Sequence, residues 1–331
     1  MNRGDGHPRR FRVHVLGCKV NQGEARQIER RLEQAGLRPA EPDETPDLVV
    51  LHTCAVTAEA QRQSAQSLRK FRAQTPGASL WLSGCGAGPG LIESACADVV
   101  LPAGPDWNER LTAALSRIQP KSEDSIPILT GFGSRIRAFL KIQDGCDYSC
   151  SYCIVPQLRG PSRDRAVPEI LDEARALISG GCGELVVTGI SIGLFGRNSK
   201  TLSLPRLLER LTHLPGLLRL RISSLHPAEL TPELLAVWRE RRSILMPHLH
   251  LPLQSGSDRI LRKMKRGYTV SGFLRAMDRA RRALGDPAFH TDVIAGFPGE
   301  TEQDAEATER LVQAAGFERL HVFPYSARPG T

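Results

Sequence analysis

Cys146, Cys150 and Cys153 lie within the run GCDYSCSYC at positions 145–153. Three thiolates spaced in this way on one short loop can each take one iron of a cubane cluster, because iron–sulfur clusters favour cysteine thiolate. A 4Fe-4S cubane has four irons, so three local ligands leave one iron open to a ligand from outside the protein. The alternatives are a three-cysteine zinc site completed by a distant histidine, or a redox disulfide pair. A structural zinc site usually carries CxxC pairs in two places, and this sequence has no second pair. Three more cysteines, Cys18, Cys54 and Cys85, each stand just beyond a short apolar run. Cys96 and Cys182 have no such context and read as packing residues.

The elements that must position these residues follow from periodicity. Strand-like runs at Phe11–Leu16, Leu48–Leu51, Leu80–Leu82 and Asp98–Leu101 alternate with helical patterns at Gly23–Gln34 and Ala58–Gln74. Apolar strands alternating with helices predict a parallel α/β sheet covered on both faces. In such sheets ligands bind beyond the carboxyl ends of the strands. Cys18, Cys54 and Cys85 all fall at that edge, although far apart in sequence. From Gln119 to Arg135 periodicity fades into polar, Pro and Gly residues, which marks a boundary. Beyond it, strand signals at Arg135–Ile142, Glu184–Thr188, Leu217–Ile222, His248–Leu253, His290–Ile294 and Arg319–Phe323 predict a partial six-stranded (βα)6 barrel, since about 250 residues are usual for eight βα units. The expected organisation is a first domain over 1–120, a linker over 121–134 and a barrel domain over 135–331.

Composition agrees with a globular protein: 40% hydrophobic, 24% charged and 5% aromatic residues exclude disordered, collagen-like and coiled-coil classes. No run reaches 18 apolar residues and the polar N-terminus has no apolar signal core, so a cytoplasmic location and no membrane association are expected. In a reducing compartment eight cysteines point to metal or catalytic use rather than disulfides. A net charge of +8 suits a nucleic-acid partner.

CxxxCxxC after the first barrel strand resembles the radical S-adenosylmethionine (SAM) superfamily. The likeness extends through KIQDGC at 141–146, YCIVP at 152–156, Arg159-Gly160, RISS at 221–224, HLPLQSG at 250–256, MKR at 264–266, DVIAGFPGET at 292–301 and FPYS at 323–326. In this order these blocks resemble the methylthiotransferases, as do GCKVNQ at 17–22, HTCAVT at 52–57 and Gly84-Cys85. The resemblance implies that SAM chelates the open iron of the cluster on Cys146, Cys150 and Cys153. Electron transfer then cleaves SAM to methionine and a 5′-deoxyadenosyl radical that abstracts hydrogen from the substrate. It also implies a second, auxiliary 4Fe-4S cluster on Cys18, Cys54 and Cys85, whose free iron holds the sulfur to be inserted. One SAM methylates that sulfur, and the methylthio group joins the substrate carbon.

Branches of the family act on modified adenosines beside the tRNA anticodon or on an aspartate of a ribosomal protein. CKVNQ and CAVT resemble the branch, often called MtaB, that modifies C2 of N6-threonylcarbamoyladenosine. The other tRNA branch, the ribosomal branch and a non-catalytic RNA-binding relic stand as alternatives. For SAM, the resemblance points to Gly183 and Glu184 in the run GGCGE, with Ser223, Gln254 and Asp292 at barrel strand ends. Each of these has a plainer role available, in a helix-to-strand turn or as a cap of the next helix. No side chain is assigned a catalytic role. Arg159 and Arg163, close behind the cluster loop, are expected to hold phosphates of the tRNA anticodon loop, and Arg262, Lys263, Lys265 and Arg266 form a second basic group. GFPGET at 296–301 lacks the ending of a phosphate loop and reads as a turn in which Thr301 caps a helix. His52 and Gly86-Ala87-Gly88 depart from the family pattern. The family usually continues past Pro-Gly-Thr into a small RNA-gripping TRAM domain, so the resemblance leaves two expectations for a sequence that stops at Thr331: a truncated product, or a partner replacing that domain. A reducing electron donor is the other implied partner.

Overall fold

A computed structural model describes residues 10–118, 136–199 and 201–331. It divides into two compact units: Met1–Gly131 with Ile154–Gly160 and Arg328–Gly330, and Phe132–Cys153 with Pro161–Ala327 and Thr331. The segment 154–160 thus groups with the first unit, whereas the sequence pattern placed it in the second. The expected linker, 121–134, lies outside the described residues.

The first unit is built on a parallel five-stranded sheet in the order β2-β1-β3-β4-β5, from β1 (Arg10–Val15), β2 (Arg38–Pro39), β3 (Leu48–Thr53), β4 (Ser79–Gly84) and β5 (Val99–Pro102). Helix α1 (Lys19–Gln34) lies between β1 and β2, α2 (Ala58–Gln74) between β3 and β4, and α3 (Trp107–Leu115) follows β5. β3 is buried throughout, and its alternation shows the double cover. Leu48 and Val50 pack with Ile28, Leu32 and Leu111 on one face, while Val49 and Leu51 pack with Leu68 on the other. From β1 the chain first adds β2 on one side and then β3 on the other. The order therefore reverses between β1 and β3, the place where open parallel sheets bind ligands. Cys18 follows β1 and Cys54 follows β3. A short helix, α4 (Val155–Arg159), completes this unit.

In the second unit, β6 (Arg137–Lys141), β9 (Glu184–Thr188) and β10 (Arg219–Ile222) form one parallel sheet, and β11 (His248–His250), β12 (Ala288–Ala295) and β13 (Arg319–Pro324) another. Leu220 joins the two: its N–H donates to Ile244 O at 2.7 Å and its carbonyl accepts from Met246 N at 2.9 Å, just ahead of β11. Six parallel strands thus run in sequence order, as expected for a partial barrel. Helices α5 (Val167–Ser179), α6 (Leu204–Thr212), α7 (Pro232–Glu240), α8 (Asp258–Lys263), α9 (Val270–Leu284) and α10 (Glu302–Ala315) follow the strands. Leu185, Val187, Leu220, Leu249 and Phe289 pack against helical Leu177, Leu208, Trp238 and Phe273. The alternate positions of the same strands, among them Arg221, His250, Asp292 and His321, turn to the barrel interior. A two-residue antiparallel pair, β7 (Gln143–Asp144) with β8 (Arg163–Asp164), brackets the cysteine loop and has no counterpart in the strand pattern of the sequence. Thr301 caps α10 by accepting from Asp304 N, and Asp304 returns the bond to Thr301 N. Among the described residues no helix is long and apolar enough to cross a membrane.

Candidate metal centres

Cys18, Cys54 and Cys85 each stand where a strand ends, and two of them follow a glycine in the left-handed region, Gly17 (φ +116°) and Gly84 (φ +91°). A Cβ on Gly17 would lie 2.7 Å from Cys54 Cβ, and one on Gly84 would lie 2.5 Å from Thr53 O. Glycine at these two points lets neighbouring strand ends approach closely and turns the next residue out of the sheet. Asn21, buried on the first turn of α1, donates to Leu16 O at 2.8 Å and to Thr53 O at 2.9 Å. It therefore ties the segment ahead of Cys18 to the one ahead of Cys54. The three thiols act on one another electrostatically: Cys18 raises the pKa of Cys54, and Cys54 that of Cys85. Burial, the larger cause, pushes Cys85 up to about 12.

Behind these thiols lies a buried charged network. Arg159, fully buried at the end of α4, donates from Nη1 to Glu24 Oε1 at 2.7 Å and from Nη2 to Glu24 Oε2 at 2.9 Å. Its Nε donates to Cys85 Sγ at 3.1 Å. Glu24 also meets His52 Nε2 at 3.0 Å, and His52 is itself fully buried. This corrects the expectation that Arg159 grips RNA. A guanidinium with 0% exposure and a bidentate carboxylate partner cannot reach a phosphate.

In the second unit Cys146, Cys150 and Cys153 follow β7, again with a left-handed glycine, Gly145 (φ 70°), ahead of the first. The loop is fastened at several points. Asp144 Oδ1 accepts from Gly145 N at 2.8 Å, and Gln143 Nε2 donates to Gly145 O at 2.7 Å. Tyr148 donates to Glu229 Oε1 at 3.0 Å and stacks on His226, with ring centroids 4.5 Å apart. Glu229, its pKa raised by burial, also accepts from Ser191 Oγ and His226 N. Arg266 is buried, unlike its exposed neighbours Arg262, Lys263 and Lys265. Its Nη1 donates to Cys150 Sγ at 3.2 Å and its Nε to the Tyr268 hydroxyl at 3.0 Å.

The candidate SAM residues separate into two places. Gly183 and Glu184 stand at the entry end of β9, where Glu184 pairs in register with Arg137, while Lys141 and Thr188 pair at the end leading to the cysteine loop. Four residues of strand, about 13 Å, lie between those ends. The Glu184 carboxylate is occupied by Arg137 at 2.7 Å, Arg221 at 2.9 Å and Arg219 at 3.9 Å. This corrects its expected place at the SAM amino group: strand direction puts it at the far end of the barrel. Ser223, Gln254 and Asp292 do lie toward the loop end of their strands. Gln254, at φ 70°, donates from its N–H to Asp292 O at 2.8 Å. The buried Ser223 is held by Val187 O through its N–H, while its neighbour Ser224 meets His250 Nδ1 at 2.9 Å. His250 Nε2 and His321 Nδ1 lie 3.0 and 3.1 Å from Asp292 Oδ1. Burial pushes the Asp292 carboxyl up, but these two imidazoles outweigh it and hold its pKa low. Arg163 is 30% exposed and lies 3.7 Å from Asp144.

His250, Asp292 and His321 are, among the described residues, the one trio of His, Cys, Asp or Glu whose ligand atoms all lie within 4.8 Å of one another. Neither cysteine trio is drawn in that tightly. A mononuclear zinc with Zn–S near 2.3 Å would hold its sulfurs about 3.8 Å apart. A cubane carries its thiolates on separate irons and does not need its sulfurs drawn in so closely. All eight cysteines are free thiols, so the disulfide alternative is not realised either. Cys182 is a buried packing residue as expected, with its Sγ 3.1 Å from Glu184 O, whereas Cys96 is only partly buried at the edge of the α2 core.

Comparison with known proteins gives the context for these centres. Residues 140–312 match the model of the Radical SAM superfamily, and residues 10–90 that of Uncharacterized protein family UPF0004. The threonylcarbamoyladenosine tRNA methylthiotransferase MtaB of Bacillus subtilis is 35% identical over 96% of this chain and 74% of its own length. The tRNA-2-methylthio-N(6)-dimethylallyladenosine synthase of a Nocardioides species is 36% identical over 98% and 68%. The chain belongs to the radical SAM methylthiotransferase family. Among solved structures, the radical SAM methyltransferase TsrM of Kitasatospora setae shares the fold at a TM-score of 0.63 and 15% identity, covering 95% of this chain and 72% of that one. The cobalamin-dependent radical enzyme OxsB gives 0.62 at 12%, covering 92% and 51%. Membership of a radical SAM methylthiotransferase family implies an enzyme that uses a 4Fe-4S cluster and SAM, and the Cys146, Cys150 and Cys153 donor set fits such a cluster in type.

Glu24, Glu229 and Tyr268 were not singled out by sequence reasoning, and Asn21 and Tyr148 lay in quoted motifs but were given no role. The three-residue step from Asn21 to Glu24 puts both on one helical face, a signal that polar residues normally conceal because such faces are usually solvated.

Proposed function

We propose that this methylthiotransferase acts on tRNA and replaces the C2 hydrogen of N6-threonylcarbamoyladenosine beside the anticodon with a methylthio group. The observation that carries the reading is the presence of two cysteine trios, each at the carboxyl edge of a parallel sheet and each with a buried arginine N–H on one sulfur. The near full-length similarity to the Bacillus subtilis protein supports the choice of base.

In this reading Cys146, Cys150 and Cys153 hold one 4Fe-4S cluster, and Cys18, Cys54 and Cys85 a second. With SAM on its open iron, the first supplies the reductive cleavage that generates the hydrogen-abstracting radical. The protein's own residues do the rest. Glu229, Tyr148 and Arg266 fix the cysteine loop. The interior row of Ser224, His250, Asp292 and His321 offers hydrogen-bonding groups to SAM or to the substrate nucleoside. Arg163, Arg262, Lys263 and Lys265 supply positive charge for tRNA phosphates, and a reducing electron donor of the cytoplasm feeds the first cluster.

The similarity to the Nocardioides synthase favours a second reading, in which the base is N6-dimethylallyladenosine. Reduced, cluster-loaded protein with SAM is incubated separately with tRNA bearing either base and with ribosomal protein. Methylthio product on the threonylcarbamoyl tRNA alone is expected. Product only on the dimethylallyl tRNA selects the second reading, and product only on protein refutes both.

A further inference from the structure

Arginine is rarely buried without a reason, because its charge must be compensated and its five N–H donors placed. Arg159, Arg266 and Arg328 are buried, and the first two, one in each unit, each send one N–H to the sulfur of a different cysteine trio: Arg159 Nε to Cys85 at 3.1 Å and Arg266 Nη1 to Cys150 at 3.2 Å. Neither is delivered by the cysteine loop it serves. Arg159 lies 74 residues after Cys85, and Arg266 lies 116 after Cys150. Their orientations are fixed by other partners, the Glu24 carboxylate for Arg159 and the Tyr268 hydroxyl for Arg266. Tyr268 is anchored in turn on the carbonyls of Pro252 and Leu253 at 2.8 and 3.0 Å.

We infer that Arg159 and Arg266 are positioning residues that set the reduction potentials of the two clusters separately, each by withdrawing electron density from one ligating sulfur. Hydrogen bonds to ligating sulfurs favour the more negative, reduced state of an iron–sulfur centre. The two are not equivalent. The Arg159 charge is offset by Glu24, so its action is mainly that of an aimed N–H donor. Arg266 has no carboxylate within ion-pair distance among the described residues and faces Cys150 with its full charge. The inference rests on the two-cluster reading above.

The test uses the full-length chain loaded with iron and sulfide, in two backgrounds. Alanine at Cys146, Cys150 and Cys153 leaves only the first-unit cluster, and alanine at Cys18, Cys54 and Cys85 leaves only the other. Potentials are followed by electron paramagnetic resonance during reductive titration. Arg159→Lys keeps the charge, but one ammonium group cannot serve both Glu24 oxygens and the Cys85 sulfur. It should shift the oxidised-to-reduced ratio of the first-unit cluster about tenfold toward oxidised, or about 59 mV for one electron. Arg266→Lys should do the same or more to the other cluster. Neither substitution should move the cluster of the other unit when placed in the opposite background. The double variant Glu24→Gln with Arg159→Met removes both buried charges together, guards against misfolding and should reproduce the Arg159→Lys shift. Unchanged potentials at full iron content would overturn the inference. Wild-type protein that binds about four irons instead of about eight would overturn the two-cluster reading itself, and with it the role of Arg159.

Discussion

Within each cysteine trio the residues have separable tasks, which substitution can expose. Cys150→Ala removes a ligand of the SAM-binding cluster and should abolish formation of 5′-deoxyadenosine. Cys54→Ala should leave some uncoupled SAM cleavage while eliminating methylthio product, as read by chromatography of both products. Retained product in Cys54→Ala would contradict the assignment of the first trio. His226 offers a test by pH. Its Nδ1 accepts from Ala228 N, so its Nε2–H donates to Arg266 O, and burial together with the Arg266 charge lowers its pKa to about 4. The unfolded imidazole titrates near 6.5, so between these values the unfolded chain binds more protons and stability falls as pH falls. The loss is at most about 3 kcal/mol, the measure of a shift of this size. His226→Asn should flatten the dependence of Tm on pH between about 6.5 and 4 in the metal-free protein. At this scale the cysteines were legible from type and spacing alone. The buried arginines were not, because Arg159 looks like any basic residue until Glu24, 135 positions away, is seen to face it.

At the level of elements, the direction of a strand decides what its ends can do. The glycine-rich entry to β9 carried the composition of a ligand edge, but a parallel strand presents ligands at its exit. Glu184 consequently serves Arg137, Arg219 and Arg221 as a clasp across three neighbouring strands. Glu184→Gln should lower Tm, by about 1–3 kcal/mol of stability given the partial exposure of the arginines, and leave the KM for SAM in the cleavage assay unchanged. A raised KM with an unchanged Tm would restore the rejected role. Strand and helix positions were otherwise readable from apolar periodicity: Ala58–Gln74 and Glu184–Thr188 match the expected elements at both ends. The early start of α1, at Lys19 rather than Gly23, was not readable, since its first turn is polar and is held by tertiary bonds from Asn21. The β7–β8 pair was missed because two-residue strands leave no periodic trace.

Across the whole molecule, two parallel α/β units each present three thiols beyond the ends of their strands, and each backs one sulfur with a buried arginine. A net charge of +8 accompanies this arrangement, and its basic residues serve different ends. Arg159 and Arg266 serve sulfur, whereas Arg262, Lys263 and Lys265 are exposed and available to phosphate. The central claim, methylthiolation of a tRNA adenosine, is tested most directly by nucleoside mass spectrometry of tRNA from cells with and without this protein. The account predicts that 2-methylthio-N6-threonylcarbamoyladenosine disappears without it and that its unthiolated precursor accumulates. An unchanged nucleoside profile would contradict it.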